Sequence, residues 1–171
     1  MKLKVQIIAS ILCAFSTLMA PATADARDVL LLNHKAWTVK LQRFSNGYVA
    51  CTAETWNRNG DLFQLANFKE QGLAVNIYLD DRNYRGATIP VDMVIDVDYS
   101  RWTFLDTNIT DKNFIFWFPN NSRTDRFAYE VMEGNAVALK TSNGGQTMAS
   151  WSLAGSSAAI RKLSECVTQI L

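Results

Sequence analysis

From residue 35 onward, apolar and polar positions alternate with a period of two between clusters of Gly, Asn, Asp and Ser, which predicts antiparallel strands joined by turns. Trp37, Val39 and Leu41 fall on one strand face, opposite Thr38, Lys40 and Gln42. Ser45-Asn46-Gly47 turns the chain into a strand over 48–55, where Val49, Cys51 and Ala53 point inward together. Asn59-Gly60-Asp61 leads to a strand over 62–67, and Gly72 opens a run in which Leu73, Val75, Ile77 and Leu79 alternate with Ala74, Asn76, Tyr78 and Asp80. A strand over 88–97 sets Val91, Met93, Ile95 and Val97 on one side, with Asp92, Asp96 and Asp98 on the other.

The segment 113–118 has no polar face, because Phe114, Phe116 and Phe118 interleave with Ile115 and Trp117. Such a strand is either covered on both sides or displays an aromatic strip. Burial is the expectation, since exposing that much apolar area invites edge pairing. Residues 126–133 read as a short helix ending at Gly134, and 136–140 with 149–153 as a closing hairpin around 142–145. The segment 156–171 is a clear helix, capped by Ser156 or Ser157, with Ala159, Ile160, Leu163, Cys166, Val167 and Ile170 in one apolar stripe. Its early Arg161 and Lys162 and late Glu165 oppose the helix dipole, so packing must hold it. The expected fold is mainly β: an antiparallel β-sandwich or barrel-like sheet with one C-terminal helix packed on it and tied by a disulfide. No repeat, low-complexity tract or long linker interrupts 27–171, which reads as a single β-rich domain.

Residues 1–26 follow a different pattern. Lys2 and Lys4 precede an apolar run and the small-residue end Pro21-Ala22-Thr23-Ala24, which reads as a secretory signal peptide cleaved after Ala24 or Ala26. The run is too short and too interrupted by Gln6, Ser10, Ser16 and Thr17 for a membrane span of roughly 20 apolar residues. Cys13 leaves with the signal. The expected location is the periplasm or beyond it, with no integral membrane span after cleavage. The whole chain has 17 basic and 16 acidic side chains; loss of Lys2 and Lys4 leaves 15 against 16, a neutral surface with no basic block for nucleic acid or anionic lipid. Cys51 and Cys166 remain, an even number in an oxidising compartment, and read as a disulfide. A redox or ligand pair is the alternative, but neither cysteine has a basic neighbour or a Cys-x-x-Cys partner.

Catalytic signals are sparse. His34 is the only histidine and precedes the first predicted strand, which weakens nucleophile-histidine and histidine-zinc chemistry. Asp80, Asp81, Asp92, Asp96 and Asp98 form the densest acidic region; two-apart residues on one strand face lie about 6.7 Å apart, compatible with an inverting glycosidase pair but also with solvated surface charges. No calcium loop is present, and neither a metal nor a cofactor is expected. Asp81, Arg82, Tyr84 and Arg85 form an aromatic-tipped connection that reads as a candidate binding loop or a solvated hairpin end. Trp102, with Trp56 and Trp117, is a candidate stacking platform if exposed, and Gly144-Gly145-Gln146 is a turn.

The run Val91 to Asp98 followed by Trp102, then Phe127 with Gly134, and above all Ser152-Leu153-Ala154-Gly155-Ser156-Ser157-Ala158-Ala159 before Cys166, resembles small periplasmic proteins of alphaproteobacteria. Their Leu-x-Gly-Ser-x-x-Ala ending overlaps the invasion-associated locus B family. Trp37 followed by Cys51 fits the same pattern. The resemblance covers about half of the mature chain and implies compartment, fold and disulfide, with no catalytic residue to carry over. The expectation is a non-enzymatic secreted or periplasmic protein-binding domain, an inhibitor or toxin-immunity protein acting on another envelope or periplasmic protein. The alternatives are a cell-wall or saccharide-binding module, a small hydrolase using the aspartates, and an envelope protein associated with virulence.

Overall fold

The computed structural model describes residues 27–69, 71–81, 89–119 and 122–170. The predicted signal peptide with Cys13, and the loop residues Arg82, Tyr84 and Arg85, lie outside them. The described elements run β1 (Arg27–His34), β2 (Trp37–Arg43), β3 (Val49–Trp56), β4 (Leu62–Phe68), β5 (Gly72–Tyr78), β6 (Ile89–Val97), β7 (Ser100–Thr110), β8 (Asn113–Trp117), α1 (Ser122–Glu133), β9 (Ala136–Lys140), β10 (Thr147–Ser152) and α2 (Ser156–Ile170). The strands form one antiparallel sheet in the order β1-β2-β3-β4-β5-β8-β7-β6-β9-β10. Five strands meander; the next three return in reverse order, so that β8 rather than β6 pairs with β5, and α1 carries the chain back to β9 on the far side of β6.

The two ends of this sheet come together with no ladder between them among the described residues. The Ala36 N–H donates to Ala154 O at 3.3 Å, the Trp151 indole donates to Asp61 O at 2.9 Å, and the Trp151 ring lies 5.7 Å from Phe63. The mainly β, barrel-like expectation therefore holds, with one face of each helix joining the sheet's core. Core-facing residues of the first half (Trp37, Val39, Ala53, Phe63) and of the second (Met93, Ile95, Phe104, Trp151) join one apolar cluster with Phe127 and Val131 of α1 and Leu163 and Cys166 of α2. Cys51 and Cys166 are bonded, Cα atoms 5.9 Å apart, which fastens α2 to β3. Among the described residues no helix is long and apolar enough to cross a membrane.

Several local expectations change. β7 was not legible as a strand because its alternation changes phase: Trp102 and Phe104 face inward, then a bulge opposite Val91–Met93 brings Thr107 and Ile109 inward and leaves Leu105 exposed. β1 adds an edge strand whose Leu30-Leu31-Leu32 run straddles another register shift. α1 starts four residues earlier than predicted. The first α2 turn is closed by Ala159 N–H to Gly155 O, while the Ser156 hydroxyl donates to Met132 O at the end of α1, so this serine ties the two helices instead of capping one.

Candidate functional site

β8 is covered on one side only. Phe114 and Phe118 are buried, whereas Ile115 and Trp117 are 38% and 41% exposed, which corrects the expectation of burial on both faces. The registers show where the open face leads. Lys40, Thr52, Ala66, Ala74 and Trp117 form one cross-strand row, and Thr38, Glu54, Gln64, Asn76 and Ile115 the next. Trp56, Leu62 and Tyr78 make a third row beyond them, and Ala50 pairs with Phe68 on the opposite side.

This outer face has a low polar floor between aromatic walls. Ala50, Thr52, Ala66 and Ala74 are almost fully buried between taller neighbours, and Glu54 and Gln64 retain only 5% and 9% exposure. Lys40 is paired with the Glu54 carboxylate; Gln64 Nε2 donates to Glu54 Oε2 at 3.1 Å, and Asn76 Nδ2 to Gln64 Oε1 at 3.4 Å. Each amide thus has its orientation set by the next. One wall is a run of rings: Phe44 stacks on Phe68 at 6.0 Å, and Phe68 lies 5.1 Å from Trp117. The other is Trp56, 53% exposed, edge-on to Tyr78 at 6.4 Å. Three strand spacings of ~4.8 Å and four residues of ~3.4 Å put Trp56 and Trp117 about 20 Å apart. A hollow of ≈ 540 Å³ opens beside Trp56, where Arg58 meets the β10 edge at Met148 and Ser150.

Trp102 is placed differently. It is 6% exposed and packs edge-on against Phe127 at 5.1 Å, so it offers no stacking face to solvent. Its rim lines a hollow of ≈ 680 Å³ at the start of α1, together with Arg101, Arg123, Arg126, Ser100 and Ser122. The indole N–H donates to Glu130 Oε2 at 2.6 Å, and Arg126 Nε donates to Glu130 Oε1 at 2.9 Å. Arg126 and Arg123 both lie over the Trp102 ring, at 5.6 and 5.8 Å from its centroid, and Arg123 Nη2 donates to Thr103 O at 2.6 Å.

The aspartates serve the fold. Asp96 takes two hydrogen bonds from Arg101, at 2.9 and 3.0 Å, and faces Lys140; the Arg101 bonds hold its carboxyl below the usual range and raise the guanidinium in turn. Asp98, at φ 48°, accepts the backbone N–H groups of Asn135 and Ala136 at the start of β9, and the Asn135 bond lowers its pKa most. Asp80 is lowered chiefly by the hydrogen bond from Lys112 and next by Tyr78, and Lys112 is raised by the same contact. Asp81 is exposed in the turn after β5, and His34 sits at the end of β1 against Gly155. Sequence reasoning missed the polar floor because Glu54, Gln64 and Asn76 come from three strands; the signal available was the polar parity of each strand. Comparison with protein-family models, curated proteins and solved structures finds no match to this chain.

Proposed function

We propose that this chain is a non-enzymatic envelope protein whose outer sheet face binds an extended saccharide strand, with cell-wall glycan as the polymer its secretory address would bring within reach. The observation that supports this is the pair of exposed indoles, Trp56 and Trp117, at opposite corners of one floor of fixed amide groups. Sugar rings present C–H faces that stack on indoles and hydroxyls that pair with amides, each of which both donates and accepts. A span of about 20 Å suits several linked rings better than one small ligand. The engagement of Asp80, Asp96 and Asp98 in turns and ion pairs supports a binding role over hydrolysis. The test is tryptophan quenching by soluble peptidoglycan fragments: saturable quenching is expected, weakened about tenfold by Trp56→Ala or Trp117→Ala, a stacking loss of about 1.4 kcal/mol. Absence of quenching, or quenching unchanged in both variants, overturns it.

A protein partner is the second reading, favoured by Phe44, Tyr48 and Ile115, which widen the apolar area beside Trp117. Capture of one stoichiometric envelope protein by the oxidised domain, abolished by Ile115→Glu, would select it.

A further inference from the structure

Resting on the saccharide reading of the outer face, we infer that the sugar seated on Trp56 carries a carboxylate, held by Arg58 and the open edge of β10, so that the ligand is an acidic glycan. The ≈ 540 Å³ hollow beside Trp56 lies between the β3–β4 turn and β10, and its lining holds the Arg58 guanidinium and no carboxylate. Arg58 is exposed, and among the described residues it takes part in no hydrogen bond, ion pair or ring contact. The acids of the turn and its flanking strands are engaged elsewhere: Glu54 is paired with Lys40, Asp61 is buried with Asn57 Nδ2 on one oxygen and the Asp80 N–H on the other, and Asp80 is paired with Lys112.

The turn that presents Arg58 is fixed from within. Asn57 Oδ1 accepts the N–H groups of Asn59 and Asp61, at 2.9 and 3.0 Å, while its Nδ2 donates to Asp61 Oδ2 at 2.8 Å and to Ser150 O at 3.3 Å. Asn57 thus ties the turn to itself and to β10, whereas Arg58 makes no polar contact of its own with the fold. The ladder supplies a second donor. Leu153 N–H donates to Asn135 O, and the alternation along an antiparallel pair then directs Ala149 and Trp151 at β9 and Ser150 away from it, toward the hollow. The Ser150 carbonyl is taken by Asn57, and its N–H and hydroxyl remain for a ligand. One guanidinium fork, one backbone N–H and an indole that is half exposed suit a sugar offering both a C–H face and a carboxylate. A neutral sugar would stack on the indole and leave the guanidinium without a counter-charge.

The test compares two forms of one ligand: peptide-free glycan strands of peptidoglycan, whose lactyl carboxylates are free, and the same strands with those carboxylates converted to amides. Both are titrated into the full-length mature protein and followed by tryptophan quenching. The acid form should bind about tenfold more tightly than the amide form, and the preference should fall below about twofold in Arg58→Gln. Arg161→Gln, which removes the same charge from α2, should leave the preference intact. Galacturonate oligomers, set against their carboxyl-reduced forms, then distinguish a uronic acid polymer from wall glycan as the source of the carboxylate, and a preference for the acid form of either one supports the inference. Equal binding of acid and neutral forms, or a preference that survives Arg58→Gln or is lost equally in Arg161→Gln, overturns the role of Arg58 and leaves the saccharide reading standing. Binding of no form overturns both.

Discussion

Asp98 shows how one side chain fixes a junction. Its backbone is left-handed, and its two carboxylate oxygens collect the N–H groups that would otherwise stand open where α1 gives way to β9. Asp98→Ala removes both acceptors and keeps an unfavourable φ, so a loss of about 1–3 kcal/mol is expected from urea unfolding. Asp98→Asn tolerates that φ and keeps one acceptor, and should lose less. The pH dependence follows from the lowered folded pKa: the stabilisation is complete above the ordinary aspartate range and disappears as pH falls through the folded value. The gap between wild type and Asp98→Asn should therefore be widest near pH 7 and shrink by about pH 3; a gap constant with pH would refute the assignment. In the sequence, Asp98 was visible only as one more acid on a polar strand face, because a left-handed turn leaves no periodic trace.

At the scale of elements, α2 depends on contacts from outside itself. Its own charges oppose the dipole, and what holds it is the apolar stripe, the Cys51 bond and a tight entry at Gly155. A Cβ at Gly155 would meet His34 O at 2.8 Å and Lys35 Cβ at 3.1 Å, at a φ of +100°. Gly155→Ala should therefore cost about 1–3 kcal/mol and loosen the meeting of the β1–β2 turn with the start of α2. Reduction of Cys51–Cys166, or Cys166→Ala with Cys51→Ala, should lower unfolding free energy by about 2–4 kcal/mol, read as a shift in denaturant midpoint. α2 and the disulfide were legible because helical spacing and an even cysteine count are both local arithmetic. β7 was not, since the bulge that shifts its parity is a property of the pair β6–β7, visible only when both strands are laid together. β8 revealed its composition but not its coverage, because whether Ile115 and Trp117 are open depends on which layer packs over β5 and β8.

For the whole molecule, the question is what closes a ten-stranded sheet whose ends share no ladder among the described residues. The answer is a column of rings: Trp37 lies edge-on to Phe63 at 6.2 Å, and Phe63 lies against Trp151 at 5.7 Å. All three are buried, and they come from β2, β4 and β10. No sequence pattern could pair residues 37 and 151; curvature of the sheet brings them together. The two indoles nonetheless differ. Trp151 donates to Asp61 O, whereas among the described residues the Trp37 N–H has no acceptor. Trp151→Phe thus removes a buried hydrogen bond as well as ring area, leaving Asp61 O with the Asn57 N–H as donor, while Trp37→Phe loses area but no hydrogen bond. Guanidinium unfolding should show Trp151→Phe destabilised by about 1 kcal/mol more than Trp37→Phe, and either residue changed to Ala by about 3–5 kcal/mol. Trp56→Ala and Trp117→Ala, on the open face, should change stability by less than about 1 kcal/mol while altering ligand binding. If instead the exposed indoles proved as costly to remove as the buried ones, the outer face would be part of the core of a larger assembly, and the saccharide reading would give way to a permanent partner seated on β5 and β8.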